Sequence, residues 1–111
     1  RAMSESAERE AAYFALLRAR DELDALRRYD EYLADEQRRL QRSTREEAAL
    51  RHGVAARMRR VLRASDTELG DVIERRLALL EDERERLPER IHAAEAFVVE
   101  CERHHDVLGG A

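Results

Sequence analysis

The sequence CERHHD at residues 101–106 holds the side chains best suited to metal chemistry in this chain. Cys101 precedes His104 by three residues and His105 by four, so one face of a helix would present a thiolate and an imidazole to a metal ion. Two such ligands do not close a site, because zinc in proteins takes three or four protein ligands. The other interpretation is that Cys101 is a small core residue and that the histidines favour the end of a helix through its dipole. These residues are therefore weak metal candidates, and we expect no cofactor.

A second pattern, Glu-x-x-His, occurs at Glu89 with His92 and at Glu102 with His105. Di-iron helical bundles use this pattern, with one copy on each of two helices and further glutamates on the others. Here both copies fall on one predicted helix about 20 Å apart, so only a dimer could bring them together. The sequence also contains no glycine-rich phosphate loop and no evident set of Ser, His and Asp for nucleophilic catalysis. It therefore favours a protein that is not an enzyme.

The composition favours helices as the elements that carry these residues. Among 111 residues, 41% are charged and 5% are aromatic, and there are one Pro and four Gly. Such a scarcity of turn-forming and aromatic residues is typical of long helices rather than of a sheet protein with a compact core. We predict an all-α fold in which residues 1–111 form a single helical domain.

Three helices are predicted from Ser and Thr residues that are followed, three residues later, by Glu. In this capping box, the hydroxyl accepts a hydrogen bond from a helix amide while the carboxylate reaches back to the amide of the cap. The pattern occurs at Ser43, at Thr44 and again at Ser65, and Ser4 or Ser6 could cap the first helix. We therefore expect helices over about 5–42, 44–64 and 66–108.

Apolar residues in the first and third predicted helices recur at alternating spacings of three and four, the spacing of a coiled-coil seam. The register of the third predicted helix continues past Pro88, so we expect a kinked long helix there rather than two helices. The predicted fold is an extended helical bundle or coiled coil with a long, a short and a long helix. Its core and dimer seam consists of Leu16, Leu23, Leu26, Leu33, Leu40, Leu77, Leu80, Leu87, Ile91 and Val98.

Further apolar residues lie beside this seam. Phe14 and Leu17 in the first predicted helix, and Leu79 and Phe97 in the third, fall outside the seam positions. One helical hairpin could not cover both sets, whereas a symmetric dimer could. The sequence therefore predicts a homodimer. The alternative is that these residues pack on the short middle helix.

The segment RHGVAARMRRVLR, residues 51–63, lies in the one basic part of an acidic chain. Residues 44–64 carry six Arg against two acidic residues, whereas the whole chain has a net charge of −4. On a helical wheel, the apolar residues of this part fall on one side and most of the basic residues on the other. A basic ridge that binds a partner or an anion is predicted at Arg45, His52, Arg59, Arg60 and Arg63.

Four interpretations of the basic ridge are open. It could be a solvated helix surface, or it could pair with the acidic residues of 81–85 in the same chain or in a second copy. Guanidinium groups in a row also suit phosphates, but the negative net charge and the lack of neighbouring aromatic residues disfavour nucleic acid. Binding to a membrane surface is disfavoured because the apolar side of the segment holds no Trp or Phe. We expect a ridge that faces protein.

These observations together predict a non-enzymatic dimerisation and interaction module, a regulatory or adaptor protein that binds itself and a protein partner. The runner-up functions are a nucleic-acid-associated regulator that uses Arg59, Arg60 and Arg63, and a metal-binding helical bundle. No apolar run approaches the ~20 residues that span a bilayer, and the first residues have neither the apolar core nor the small-residue cleavage site that are typical of a signal peptide. We therefore expect a cytoplasmic protein without membrane insertion.

Overall fold

The chain forms two long helices. The structure, a computed structural model, describes the backbone of residues 4–53 and 56–109 and the side chains of residues 4–49, 58 and 69–109. Helix α1 spans Glu5–Gly53 and helix α2 spans Ala56–Leu108. No strand occurs in these described residues, and the prediction of an all-α fold is confirmed.

Ser4 caps the N-terminus of α1. The amide of Ala7 donates to Ser4 Oγ at 3.1 Å, and the amide of Glu8 donates to the carbonyl oxygen of Ser4 at 3.0 Å. Glu5 and Glu8 also place negative charge beside the positive end of the helix dipole. Of the two serines that the sequence offered as caps, Ser4 therefore starts the helix.

The prediction of separate helices over 5–42 and 44–64 is wrong, because α1 continues through Ser43 and Thr44 to Gly53. Thr44 Oγ1 donates to the carbonyl oxygen of Leu40 at 3.0 Å, a bond back along the helix rather than a cap. The neighbouring Arg, Glu and Ala residues are strong helix formers. A capping pattern in such a segment does not end the helix.

The predicted start of a third helix at 66 is also wrong, because Ser65 falls within α2. The side chain of Ser65 lies outside the described residues. In the described residues, one helix ends at Gly53 and the next begins at Ala56, which lies between the two boundaries that the sequence predicted. Gly53 itself was the available signal, since Gly is enriched at helix C-termini.

Pro88 lies inside α2, and the helix extends on both sides of it. Pro is accommodated in a helix interior at a cost, because it has no amide N–H and its ring meets the preceding turn. The kink that the sequence suggests at this residue stays a prediction.

Replacing Pro88 with Ala is expected to raise the free energy of unfolding by about 1 kcal/mol. Ala is favoured over Pro by ~3 kcal/mol in a helix interior, but helix adaptation and the stiffness of Pro in the unfolded chain offset part of this difference. Urea unfolding followed by helical circular dichroism measures the change. Glu89→Ala, an exposed neighbour, is the control and should shift stability by less than about 0.5 kcal/mol. A less stable Pro88→Ala protein would contradict the expectation.

The described residues form two compact units. The first unit combines residues 4–30 with 86–109, and the second combines residues 31–53 with 56–85. In the first unit, the two helix segments are antiparallel, because Arg27 Nη2 lies 3.4 Å from Glu95 Oε2 and the ring centroid of Tyr13 lies 5.7 Å from that of His105. The core of this unit consists of buried Leu16, Ala19, Leu23 and Val98, with Ile91, Ala94 and Cys101 packed against them.

In the second unit, polar side chains of α1 and α2 contact each other. Glu36 on α1 contacts Arg76 on α2, and Arg84 Nη1 donates to Gln37 Oε1 at 2.6 Å. Leu33 and Leu80 are buried in this unit. Buried apolar residues and polar contacts between helices therefore both occur here. The organisation of residues 1–111 as a single domain stays a prediction.

Within the part of the chain that the structure describes, neither helix contains an apolar stretch of the length that crossing a bilayer requires.

Candidate interaction surface

The predicted seam residues are shielded from solvent, and none of them is exposed. Leu87 is 0% exposed and is the only large side chain among the described ones that is completely enclosed. The buried members are Leu16, Leu23, Leu33, Leu80, Leu87 and Val98, and the half-buried members are Leu26, Leu40, Leu77 and Ile91. Their arrangement as a heptad seam and their contribution to a dimer stay predictions.

Large apolar side chains are also exposed on both helices. Phe14 is 60% exposed, Leu79 is 66% exposed and Phe97 is 50% exposed, whereas Leu17 is half-buried. Two packed helices bury only the side of each helix that faces the other. Apolar residues on another side of a helix therefore remain exposed to water. Among the described side chains, the exposed set is Tyr13, Phe14, Tyr29, Tyr32, Met58, Leu69, Val72, Leu79, Phe97, Val99 and Val107.

The predicted basic ridge lies mostly outside the described side chains. Arg45 is described and is exposed on α1. The side chains of His52, Arg59, Arg60 and Arg63 lie outside the described residues. The basic ridge therefore stays a prediction, and so does its pairing with the acidic residues of 81–85.

The three weak metal candidates have different surroundings. Cys101 is a free, half-buried thiol that packs against the core of the first unit. His105 contacts the ring of Tyr13, and His104 lines a surface pocket with Glu8. Among the described residues, no group of three or more His, Cys, Asp or Glu side chains is close enough to hold a metal ion. The structure supplies no further ligand for these residues.

Glu36 is a buried charged residue that the sequence did not single out. Only 9% of its side chain is exposed, and Arg76 Nη2 and Nε lie 3.0 and 3.1 Å from its Oε1. Arg39, three residues further along α1, places Nη1 3.4 Å from Oε2. Arg76 lies forty residues away in sequence, so no local pattern revealed this contact.

Two shallow pockets open between α1 and α2 in the first unit. The pocket near the start of α1 has a volume of about 470 Å³ and is lined by Glu8, Ala11, Ala12, Ala15, His104 and Leu108. The pocket further along α1 has a volume of about 430 Å³ and is lined by Glu22, Ala25, Leu26, Tyr29 and Arg90. Three of the six residues that line the first pocket are Ala on α1. This pocket therefore lies where small side chains of α1 leave space beside α2.

The pocket-lining residues recur at heptad spacing, which places them on one flank of each helix. Seven residues cover nearly two turns, so residues seven apart lie one above the other. On α1 these are Glu8, Ala15, Glu22 and Tyr29, and on α2 they are Arg90 and His104. Phe97 lines neither pocket but lies seven residues from both Arg90 and His104, and exposed Arg18 lies seven residues from both Ala11 and Ala25. We call these residues together the groove face.

The two helices contribute different polar groups to the groove face. Glu8 and Glu22 come from α1, whereas Arg90 and His104 come from α2. Glu22, Arg90 and His104 are exposed, so their charged or polar groups are accessible to a second molecule. The groove face therefore combines an α1 edge with two acidic residues, Glu8 and Glu22, and one basic residue, Arg18, a row of small side chains, and an α2 edge with hydrogen-bond donors.

Comparisons of the chain with protein-family models, with curated proteins and with solved structures give no match.

Proposed function

We propose that this chain is a non-enzymatic helical interaction module, a regulatory or adaptor protein that pairs with a second copy of itself and binds a protein partner. The observation that carries this proposal is the exposure of large apolar side chains on both helices. Among the described side chains, eight apolar residues are buried, whereas eleven large apolar residues are exposed. This is the surface of a helical pair that other helices can cover.

The magnitude of the apolar exposure supports association. Burial of the exposed half of a Phe side chain removes roughly 100 Å² from water, which is worth roughly 2 kcal/mol. Association costs about 4–15 kcal/mol in lost translational and rotational freedom, so one such residue is insufficient. In a symmetric dimer, each residue contributes twice, and Leu79 and Phe97 alone therefore supply four buried apolar side chains.

A second copy of the chain is the simplest occupant of this surface. Four antiparallel helices arranged as a bundle bury two sides of each helix, whereas a single pair of helices buries one. Symmetric dimers are also the most common assemblies of soluble proteins. The protein partner would then bind the helical surface that remains outside the dimer.

Light scattering is expected to give twice the chain mass of 12.9 kDa at micromolar concentration. The combined variant Phe14→Ser, Leu79→Ser and Phe97→Ser should shift the protein toward the monomer, because it removes three exposed apolar side chains. The control variant Arg9→Ser, Glu85→Ser and Glu89→Ser changes the same number of exposed positions and should remain dimeric.

A parent protein that stays monomeric at every concentration would refute the self-association. Circular dichroism of the apolar variant separates loss of association from loss of folding, and the mass of the parent decides the proposal even if that variant unfolds. Tight binding of the parent to a generic DNA duplex that weakens steeply with salt would instead favour the runner-up function of the basic ridge.

A further inference from the structure

We infer that the groove face of the first unit is where a second copy of this chain docks, with α1 of one copy lying against α2 of the other. This inference rests on the proposed self-association and specifies its interface. The occupant is a second copy because the groove face is complementary to itself in both shape and charge.

The shape of the groove face combines depressions with a projecting side chain. Ala11, Ala15 and Ala25 leave space along α1, and the two pockets mark that space. Phe97 is half exposed and lies seven residues from Arg90 and from His104, between the parts of α2 that line the two pockets. A two-fold interface uses one surface twice, so it requires a projection and a depression on that same surface. In the dimer, Phe97 of each copy packs onto α1 of the other.

The charges of the groove face determine which helices pair. A two-fold axis parallel to the helices sets the Glu22 edge of α1 in one copy opposite the Arg90 edge of α2 in the other. A two-fold axis perpendicular to the helices would set α1 against α1 and α2 against α2, which separates Glu22 of one copy from Arg90 of the other. Opposite charges therefore select the parallel axis.

Rotation about the parallel axis also leaves the position of each residue along the helix axes unchanged. Glu22 and Arg90 line the same pocket, so their separation along the helices does not exceed the length of that pocket. Rotation about an axis along the helices leaves this separation unchanged, and Glu22 of each copy then lies near Arg90 of the other. Every neighbouring pair of helices in this part of the dimer is antiparallel, as in an up-and-down four-helix bundle.

An exchange of charges between two copies tests this interface. Glu22→Arg and Arg90→Glu proteins, each alone, place two like-charge pairs in every dimer, and we expect the dimer dissociation constant of each to rise about tenfold. In an equimolar mixture, the mixed dimer restores both opposite-charge pairs, and its dissociation constant should return to within about twofold of the parent value. Sedimentation measures the dissociation constants, and native mass spectrometry separates the three dimers by mass. The mixed dimer should exceed the statistical half.

Asp24→Arg is the matched control, because Asp24 is exposed and lies about 200° around α1 from Glu22. It makes the same change of charge and should leave the dissociation constant unchanged. All three positions are exposed, so folding should be retained. The mixing step also excludes a contact between Glu22 and Arg90 of one chain, since such a contact would be disrupted in both proteins of the mixture.

The outcomes separate this interface from the proposed function. The interface would be overturned if the single variants dimerise as tightly as the parent, or if the dissociation constant of the mixture stays as high as that of the single variants. A dimeric parent would in either case leave the proposed self-association intact. Tighter dimerisation of Glu22→Arg would indicate that α1 packs on α1, and it would overturn the inference as well. A monomeric parent overturns both proposals.

Discussion

Replacing Leu87 with Ala is expected to lower the free energy of unfolding by about 2–5 kcal/mol, the largest effect of a single apolar truncation in the described part of the chain. Leu87 is 0% exposed, so the substitution removes buried methyl groups and leaves a cavity that rigid helix backbones fill only in part. Urea unfolding followed by circular dichroism at a fixed protein concentration measures the loss.

Leu79→Ala is the matched control for this prediction, because it makes the same chemical change on the same helix at a residue that is 66% exposed. At protein concentrations below the dimer dissociation constant, it should change stability by less than about 0.5 kcal/mol. Above that concentration, a larger effect of Leu79→Ala would report the loss of an association contact. Equal effects of the two substitutions in the monomer would show that Leu87 does not occupy a tightly packed site.

The sequence was sufficient to predict the helical fold and several of the apolar residues that are buried. Leu16, Leu23 and Val98 were identified from spacing alone, because burial along a helix pair repeats with the helical period. The number of helices was not predictable from the same local patterns. A Ser or Thr followed by Glu can begin a helix or lie inside one, and at Thr44 the bond to the carbonyl of Leu40 shows the second outcome.

The candidate interaction surface was predictable only in outline. Phe97 and Leu79 were recognised as apolar residues outside the seam, and both are exposed. The pairing of the α1 and α2 flanks into a groove face brings together residues about seventy positions apart, such as Glu22 and Arg90, which line the same pocket. Spacing within one helix gives the flank to which a residue belongs but not the flank that it meets on the other helix. The acidic and basic edges of the groove face therefore emerged only from the structure.

The ion pair between the buried carboxylate of Glu36 and Arg76 provides the second large expected effect on stability. Whether the free energy of unfolding falls or rises depends on which of the two residues is replaced. Replacing Arg76 with Gln is expected to lower the free energy of unfolding by about 2 kcal/mol, because the carboxylate would remain buried without its two closest donors. A fully buried ion pair would lose more, but the side chain of Arg76 is 55% exposed, and Arg39 keeps a contact of 3.4 Å with Glu36. Arg75→Gln, at the exposed neighbouring position, is the control and should have little effect.

Removal of the acid instead should cost little. The side chains of Arg76 and Arg39 are 55% and 72% exposed in the parent protein, so in Glu36→Leu their guanidinium groups can return to water. The Leu side chain meanwhile fills a site from which solvent is already excluded. We expect stability to be unchanged or to rise by about 1 kcal/mol, because the dehydration of the carboxylate no longer opposes folding. The double variant should then resemble Glu36→Leu rather than Arg76→Gln. Urea unfolding of the four proteins decides between two causes. An equal loss of unfolding free energy in Glu36→Leu and Arg76→Gln would mean that the attraction within the pair stabilises the second unit. A loss in Arg76→Gln alone would mean that the arginine is needed chiefly because the carboxylate is buried.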